Sequence, residues 1–301
     1  MNEFKIRLEK CLDKDIIKYN EPLKNHTSFK LGGPCTVFIT PTNKEELITS
    51  LKLCREFDIP FFVLGNGSNL IVRDGGILGV VIQLKCLNNV SSDGNIILAG
   101  AGAMLSAASN MALKNSLKGM EFASGIPGTI GGAVTMNAGA YGGEIKDVID
   151  SATVVTQTGE VLKLNKEQLE LSYRSSSIQK NNYIVLEASF SLEEGVYDDI
   201  KNRMNTLNGR RRDKQPLEFP SAGSTFKRPE GHFAGKLIED AGLKGLTIGG
   251  AMVSEKHAGF VINYNDATAN DVISLIKKVQ DIIKEKDNVY LETEVKIIGE
   301  E

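Results

Sequence analysis

Several residue types and patterns are scarce in this chain of 301 residues, and each scarcity removes a class of function. Histidine occurs only at His26, His232 and His257, with no HxH or HExxH spacing. The four cysteines, Cys11, Cys35, Cys54 and Cys86, contain no CxxC pair. A zinc centre or a disulfide framework therefore lacks ligands at the required spacing, and no metal ligands are assigned. Positive charge is not in excess, with 35 Lys plus Arg against 38 Asp plus Glu and a net charge of −3. Nothing global attracts polyanions, so nucleic acid is not an expected partner. The opening MNEFKIRLEKCLDKD has no apolar signal core, which predicts a cytoplasmic protein. The long uncharged stretch at residues 122–143 is broken by Pro127, Asn137 and repeated glycines, so it predicts loops and no membrane span. Internal repeats and low-complexity tracts are absent as well.

What is present is an ordinary globular composition, 41% hydrophobic and 24% charged, with 30 glycines. The glycine content stands well above the usual ~7%. The length suits one large domain or, better, two to three smaller ones. Phe4, Leu8, Cys11 and Leu12 share one helical stripe, and Thr42 with Glu45 predicts a capping box before Leu47, Leu51 and Cys54. Residues 60–64 read as a short buried strand running into a glycine turn. Apolar runs at 77–84, 95–99, 152–155, 161–164 and 183–192 predict further strands. A polar helix over 196–212 ends in the basic cluster Arg210, Arg211, Arg212 and Lys214, and Pro216 and Pro220 follow, which places a boundary near 200–215. Beyond it lie a helix at 233–241, a strand at 260–263 and a helix at 270–286. A last strand at 289–298 puts Val289, Leu291, Val295 and Ile297 on one face and Glu292, Glu294 and Lys296 on the other. The irregular alternation of helix and strand predicts an α+β fold.

Chemistry is concentrated in a few strings. GNGSNL, Gly65 to Leu70, follows an apolar strand, and its glycines and successive amides could cradle a diphosphate; a tight structural turn is the alternative. No GKS or GKT follows, so it is not a Walker A motif. GIPGTIGGAVTMNAGAYGGE, residues 125–144, is costly to order, and its interleaved Ile126, Ile130, Val134 and Met136 predict a packed segment against which a flat or anionic ligand lies. Gly100 and Gly102, after the strand at 95–99 and before a helix, imitate a dinucleotide fingerprint, but Leu105 stands where its third glycine belongs. Tyr173-Arg174 reads as a surface pair or a site arginine. Ser224 in SAGSTFKRP has no GxSxG elbow and no His-Asp pattern around it, which leaves a turn serine or a proton donor. Glu294 faces solvent unless the chain end returns to a cleft, and the Arg210 to Lys214 cluster is a solvated helix end or a phosphate clamp.

Taken together, Asn25-His-Thr-Ser-Phe, GNGSNL, GIPGTIGGAVTMNAGAYGGE, YRSS, SAGSTFKRPEGHFAGKLIEDAGLKG, KHAGFVIN and LETEVKIIG resemble, in order and over nearly the whole chain, the UDP-N-acetylenolpyruvoylglucosamine reductases of peptidoglycan synthesis. That resemblance implies the FAD-binding fold of the vanillyl-alcohol-oxidase (p-cresol methylhydroxylase) type. Two FAD-binding lobes are expected at 1–85 and 86–205, then an α+β substrate-binding domain at 206–301 whose last strand returns to the active site. It implies a flavoenzyme that uses NADPH as co-substrate in a ping-pong cycle, reducing an enolpyruvyl sugar nucleotide to the D-lactyl ether; a monomer is the favoured oligomeric state. Arg174, Ser224 and Glu294 are then the catalytic residues: a bidentate cation, the proton donor and an acid assisting enolic charge. Gly65, Asn66, Gly67, Ser68 and Asn69 match the diphosphate contacts, and Gly125, Ile126, Gly128, Val134, Asn137, Ala138 and Gly139 the flavin contacts. Tyr173, Lys214 and Arg228 match substrate contacts. Few residues separate Arg174 from the strand at Ile184, so the insertion carrying a substrate-clamping tyrosine in one subgroup is absent and the chain resembles the shorter, second type. Another flavin oxidoreductase of the same fold, or a nicotinamide module built on Gly100 and Gly102, are the competing readings.

Overall fold

The computed structural model describes all 301 residues. The chain forms two compact units, each built from separate stretches of sequence: residues 1–19, 37–66 and 79–210 make the first, residues 20–36, 67–78 and 211–301 the second. The expected lobe limit at 85 does not bound a compact unit, because residues 20–36 and 67–78 pack with the C-terminal third.

The first unit is organised by a five-stranded antiparallel sheet in the order Val161–Asn165, Ile149–Val155, Ile184–Ser191, Ile96–Gly100, Val90–Asp93. Alternation decides its inner face: Ile97, Ala99, Ala152, Val154, Ala188 and Phe190 are almost wholly buried in the main core. Strand Phe61–Leu64 pairs in parallel with Val80 to Gln83. Helix Lys44–Glu56 buries Leu47, Leu51 and Cys54 against this core, and burial pushes the Cys54 thiol up to about 12. Its cap differs from the expected one. Asn43 is the cap, accepting from the Glu46 amide at 2.9 Å, while the Glu46 carboxylate reaches back to the Thr42 amide and hydroxyl at 2.7 and 2.9 Å. The helix thus starts one residue later than Thr42 and Glu45 suggested, because the short Asn43 amide fits the cap geometry. Cys11 is exposed, so the stripe of helix Asn2–Cys11 that packs is Phe4 and Leu8, continued by Leu12.

The dinucleotide reading of Gly100 and Gly102 fails on topology. Strand Ile96–Gly100 pairs antiparallel with both neighbours, whereas a nucleotide-binding βαβ unit needs parallel ones. A side chain on Gly102 would sit 1.9 Å from the Leu84 carbonyl oxygen, and on Gly100 2.3 Å from that of Leu87. These glycines are there so that two stretches of main chain can touch.

The second unit contains an antiparallel sheet, Thr247–Ile248, Ala251–Val253, Val261–Asn263, and a parallel pair, Leu70–Val72 with Lys296–Ile298. Helix Ala269–Asp287 starts at a Thr268/Asp271 capping box and stops at Asn288, whose left-handed φ of 54° ends the turn. Its stripe Val272, Ile276, Val279 and Ile283 is buried with Leu291 and Val295, at about 1.5–3 kcal/mol for each large side chain. No helix is long and apolar enough to cross a membrane. Residues 122–143 instead hold the short helix Ile130–Thr135 and a hairpin, Gly139–Ala140 with Gly143–Glu144, whose two turn residues Tyr141 and Gly142 both have positive φ.

Candidate active site

In the first unit, the loop after strand Phe61–Leu64 meets the glycine-rich segment. Asn66 donates its side-chain amide to the Pro127 carbonyl at 2.9 Å. Gly65 is bare for a reason: a Cβ there would lie 2.4 Å from the Thr129 hydroxyl oxygen. Gln83, at the end of its strand, donates to the Gly65 carbonyl at 3.2 Å. The Gln83 Oε1 and Thr129 Oγ1 atoms are buried without a hydrogen-bond partner, although Thr129 opens the Ile130–Thr135 helix and could have spent its hydroxyl as a cap. Buried polar atoms ordinarily have partners. An orphaned hydroxyl and amide oxygen beside bare main chain fit a ligand rich in anionic oxygens and hydroxyls, as FAD is.

The same segment is tied to the Tyr173-Arg174 turn. Ser172 and Ser175 exchange two backbone hydrogen bonds of 3.1 Å, which leaves Tyr173 and Arg174 at the tip. Arg174 has φ 54°, a conformation costing a non-glycine residue about 1–2 kcal/mol, and such strain is kept where surroundings enforce it. Its guanidinium lies 5.2 Å from the centre of the exposed Tyr173 ring. Asn137, 1% exposed, donates to Glu144 and, at 3.1 Å, to the Ser172 carbonyl, and accepts from the Lys146 amide at 2.9 Å. Val134 is wholly buried and Ala138 nearly so. The side chains of Asn137 and Val134 are therefore occupied within the protein, and main chain is what these positions offer a ligand.

In the second unit, three sequence-distant strings converge. Ser28 donates its hydroxyl to the Ser221 carbonyl at 2.6 Å and its amide to the Gly67 carbonyl at 3.2 Å. Asn69 donates to the Glu294 carbonyl at 3.2 Å, and the Asn69 carbonyl accepts from the Lys296 amide at 3.0 Å. Thr225, 1% exposed, is the joint. Its amide donates to the Gly259 carbonyl at 2.9 Å, its carbonyl accepts from the Glu294 amide at 2.8 Å, and its hydroxyl accepts from the Val261 amide at 3.0 Å. Phe226 bridges Thr293 in antiparallel register. Ser224, exposed, and Glu294, half-buried, are thus held one register step apart. The hydrogen-bonded end strand is shorter than residues 289–298, but its alternation holds, with Leu291 and Val295 buried and Glu292 and Lys296 exposed.

The remaining residues are more dispersed. Lys214 ends helix Tyr197–Lys214 and is exposed. Arg228 is exposed, its guanidinium 4.0 Å from the centre of the Phe233 ring. His257 accepts from the Gly259 amide at 3.0 Å through Nδ1 and packs edge-on against Phe260. Burial, chiefly, with Lys244 and Lys214 adding to it, holds its pKa below the ordinary histidine value. Sequence reasoning passed over Gln83, Thr129, Gln179 and Thr225; a glutamine ending the apolar strand ILGVVIQ was the one visible signal.

Comparison with known proteins decides the family. The chain is 57% identical to the UDP-N-acetylenolpyruvoylglucosamine reductase of Clostridium novyi over 98% of this chain and 96% of the other. The chain belongs to the UDP-N-acetylenolpyruvoylglucosamine reductase family. It is likewise 57% identical to the reductase of that name from Clostridium botulinum, over 100% of this chain and 99% of the other. The family model for the C-terminal domain of these reductases matches residues 215–298, and an FAD-binding domain model matches residues 35–165. The crystal structure of the reductase from Thermus caldophilus superposes with a TM-score of 0.79 at 34% identity, covering 93% of this chain and 97% of that one. A glucose dehydrogenase, Phl p 4.0202, shares the fold alone, with a TM-score of 0.51 at 14% identity over 65% of this chain and 44% of that one.

Proposed function

We propose that this chain catalyses the NADPH-dependent reduction of UDP-N-acetylenolpyruvoylglucosamine to UDP-N-acetylmuramate in peptidoglycan precursor synthesis, with FAD as its cofactor. The observation that carries the reading is 57% identity to reductases of that name over nearly the whole chain. The chemistry FAD supplies when bound is hydride storage between NADPH and the sugar nucleotide. Main-chain amides of Gly65, Asn66, Gly67, Ser68 and Asn69 suit the diphosphate. Gly125, Ile126, Gly128, Val134, Asn137, Ala138 and Gly139 suit the flat ring system, and the Thr129 hydroxyl is available to the same ligand.

Hydride arriving at the outer carbon of the enol ether leaves negative charge on its neighbour and, by conjugation, on the substrate carboxylate. That charge needs donors placed before the reaction. We assign Arg174, on its constrained turn, to the carboxylate as a bidentate cation, and Glu294 to the developing enolic oxygen as an acid. The Ser224 hydroxyl gives its proton to the adjacent carbon. An alcohol is a weak acid, so the transfer works only toward a strongly basic carbon within hydrogen-bond reach, which is why the anchoring of Thr225 next to it matters. Tyr173, Lys214 and Arg228 are assigned to the sugar nucleotide, with Arg228 already stacked on Phe233. After Arg174 the chain enters the short helix Ser177–Lys180 and then strand Ile184–Ser191, which supports the second, shorter type without a tyrosine-bearing insertion. The nucleotide substrates support a cytoplasmic enzyme that serves cell-wall growth, and through it cell shape and division.

The test is product analysis under anaerobic conditions. NADPH oxidation driven by the enolpyruvyl nucleotide in deuterium oxide should place one solvent deuterium on the carbon next to the carboxylate. Oxidation of a simple alcohol with oxygen consumption would instead favour an oxidase on the same fold.

A further inference from the structure

We infer that Gln179 is a positioning residue that fixes the direction in which Arg174 presents its guanidinium. The inference rests on the reading that Arg174 binds the substrate carboxylate. The Gln179 side-chain amide serves two carbonyls at once, donating to Thr135 at 2.7 Å and to Arg174 itself at 3.3 Å. The Thr135 carbonyl also accepts the Ser176 hydroxyl at 2.6 Å, and Ser176 accepts the Gln179 backbone amide. One amide group therefore links the last residue of the helix in the glycine-rich segment to the arginine of the turn.

The bond matters because of what it holds. Arg174 sits in left-handed backbone, where an L-residue does not stay without external support. Two Ser172–Ser175 bonds close the turn, and the Gln179 side-chain amide reaches the Arg174 main chain. The short helix Ser177–Lys180 does not depend on it for anchorage, because the adjacent Ile178 is 1% exposed in the core and the Ser177 hydroxyl donates to the Gln168 carbonyl at 2.7 Å. Gln179 is half-buried and its donors are spent on the turn and the segment. Removing them frees the turn without emptying the core.

The test uses the FAD-loaded enzyme with Gln179→Met, which keeps length and removes both donors, and Gln179→Lys, which restores a donor on a flexible stem. Equilibrium binding of the enolpyruvyl sugar nucleotide to oxidised enzyme is measured by calorimetry, and the two half-reactions by anaerobic stopped flow. Gln179→Met should weaken binding and slow the substrate half-reaction by about ten- to a hundredfold in combined effect, the range for a misplaced positioning group. Flavin reduction by NADPH should stay at the wild-type rate, and the thermal midpoint should fall by no more than the few degrees that two lost hydrogen bonds account for. Gln179→Lys should recover most of the loss. In an Arg174→Ala background, Gln179→Met should weaken substrate binding no further, since no guanidinium is left to direct. The inference is overturned if Gln179→Met binds and turns over substrate like wild type while Arg174→Ala does not, if both half-reactions fall together with the thermal midpoint, or if the two substitutions add. A wild-type enzyme that does not reduce the sugar nucleotide would overturn the functional reading and this inference with it.

Discussion

Thr225→Val is the perturbation whose consequence follows most directly from the geometry. The two side chains have the same shape, so packing is preserved and only the hydroxyl is lost. That hydroxyl accepts the Val261 amide at 3.0 Å in a site where Thr225 is 1% exposed, so the amide is left buried without a partner, at a cost of about 1–3 kcal/mol. Thr225→Ser keeps the acceptor and gives up one buried methyl, about 1 kcal/mol. Stability alone could confuse the two, and hydrogen exchange separates them: protection of the Val261 amide should fall in the valine variant and persist in the serine variant. Because the Thr225 carbonyl also holds the Glu294 amide at 2.8 Å, the valine variant should slow proton delivery from Ser224 more than the serine variant does. Unchanged stability and unchanged Val261 exchange in Thr225→Val would refute the claim that this residue is the joint between the Ser224 segment and the Glu294 strand.

Other outcomes follow from the same structure. Ser224→Ala should leave flavin reduction by NADPH intact and slow the substrate half-reaction by about 10²- to 10⁴-fold, the usual contribution of a general acid, as stopped-flow absorbance would show. Gly102→Ala places a methyl 1.9 Å from the Leu84 carbonyl oxygen and should destabilise by about 3 kcal/mol or more; denaturant titration would register that loss, and a selective change in nucleotide affinity without it would contradict the packing role. His257 has a native pKa below its unfolded value. Above about 6.5 it is neutral in both states. On acidification the unfolded chain takes up a proton that the native state refuses, so stability falls as pH drops through and below that value. His257→Gln keeps an acceptor for the Gly259 amide and should flatten this dependence in urea titrations across the range.

Periodicity made most of the elements legible. The stripes of helices Lys44–Glu56 and Ala269–Asp287 and the alternation of Leu291, Val295 and their neighbours appear in the structure with ends displaced by a residue or two, as expected for features set by burial. Strands Ile17–Pro22 and Pro34–Ile39 were not visible, since the first carries Lys18, Tyr19, Asn20 and Glu21 and shows no apolar alternation. Glycine was the ambiguous letter. At Gly65 it bares main chain beside orphaned polar atoms; at Gly100 and Gly102 it lets two backbones touch, and only the tertiary neighbours tell the two uses apart. Ser224, Arg174 and Glu294 were reached through resemblance, because no local pattern marks a serine without a triad, an arginine at a turn tip or a glutamate on an alternating strand. Thr225 and Gln179 were invisible for a further reason: the Val261 and Glu294 amides that bind the one and the Thr135 carbonyl that binds the other lie far away in sequence.

The most direct measurement of the central claim is anaerobic sequential mixing of the purified, FAD-loaded enzyme. NADPH should bleach the flavin absorbance, and the enolpyruvyl sugar nucleotide, added after NADPH is exhausted, should restore it stoichiometrically without oxygen. A flavin that stays bleached until air is admitted would contradict the account.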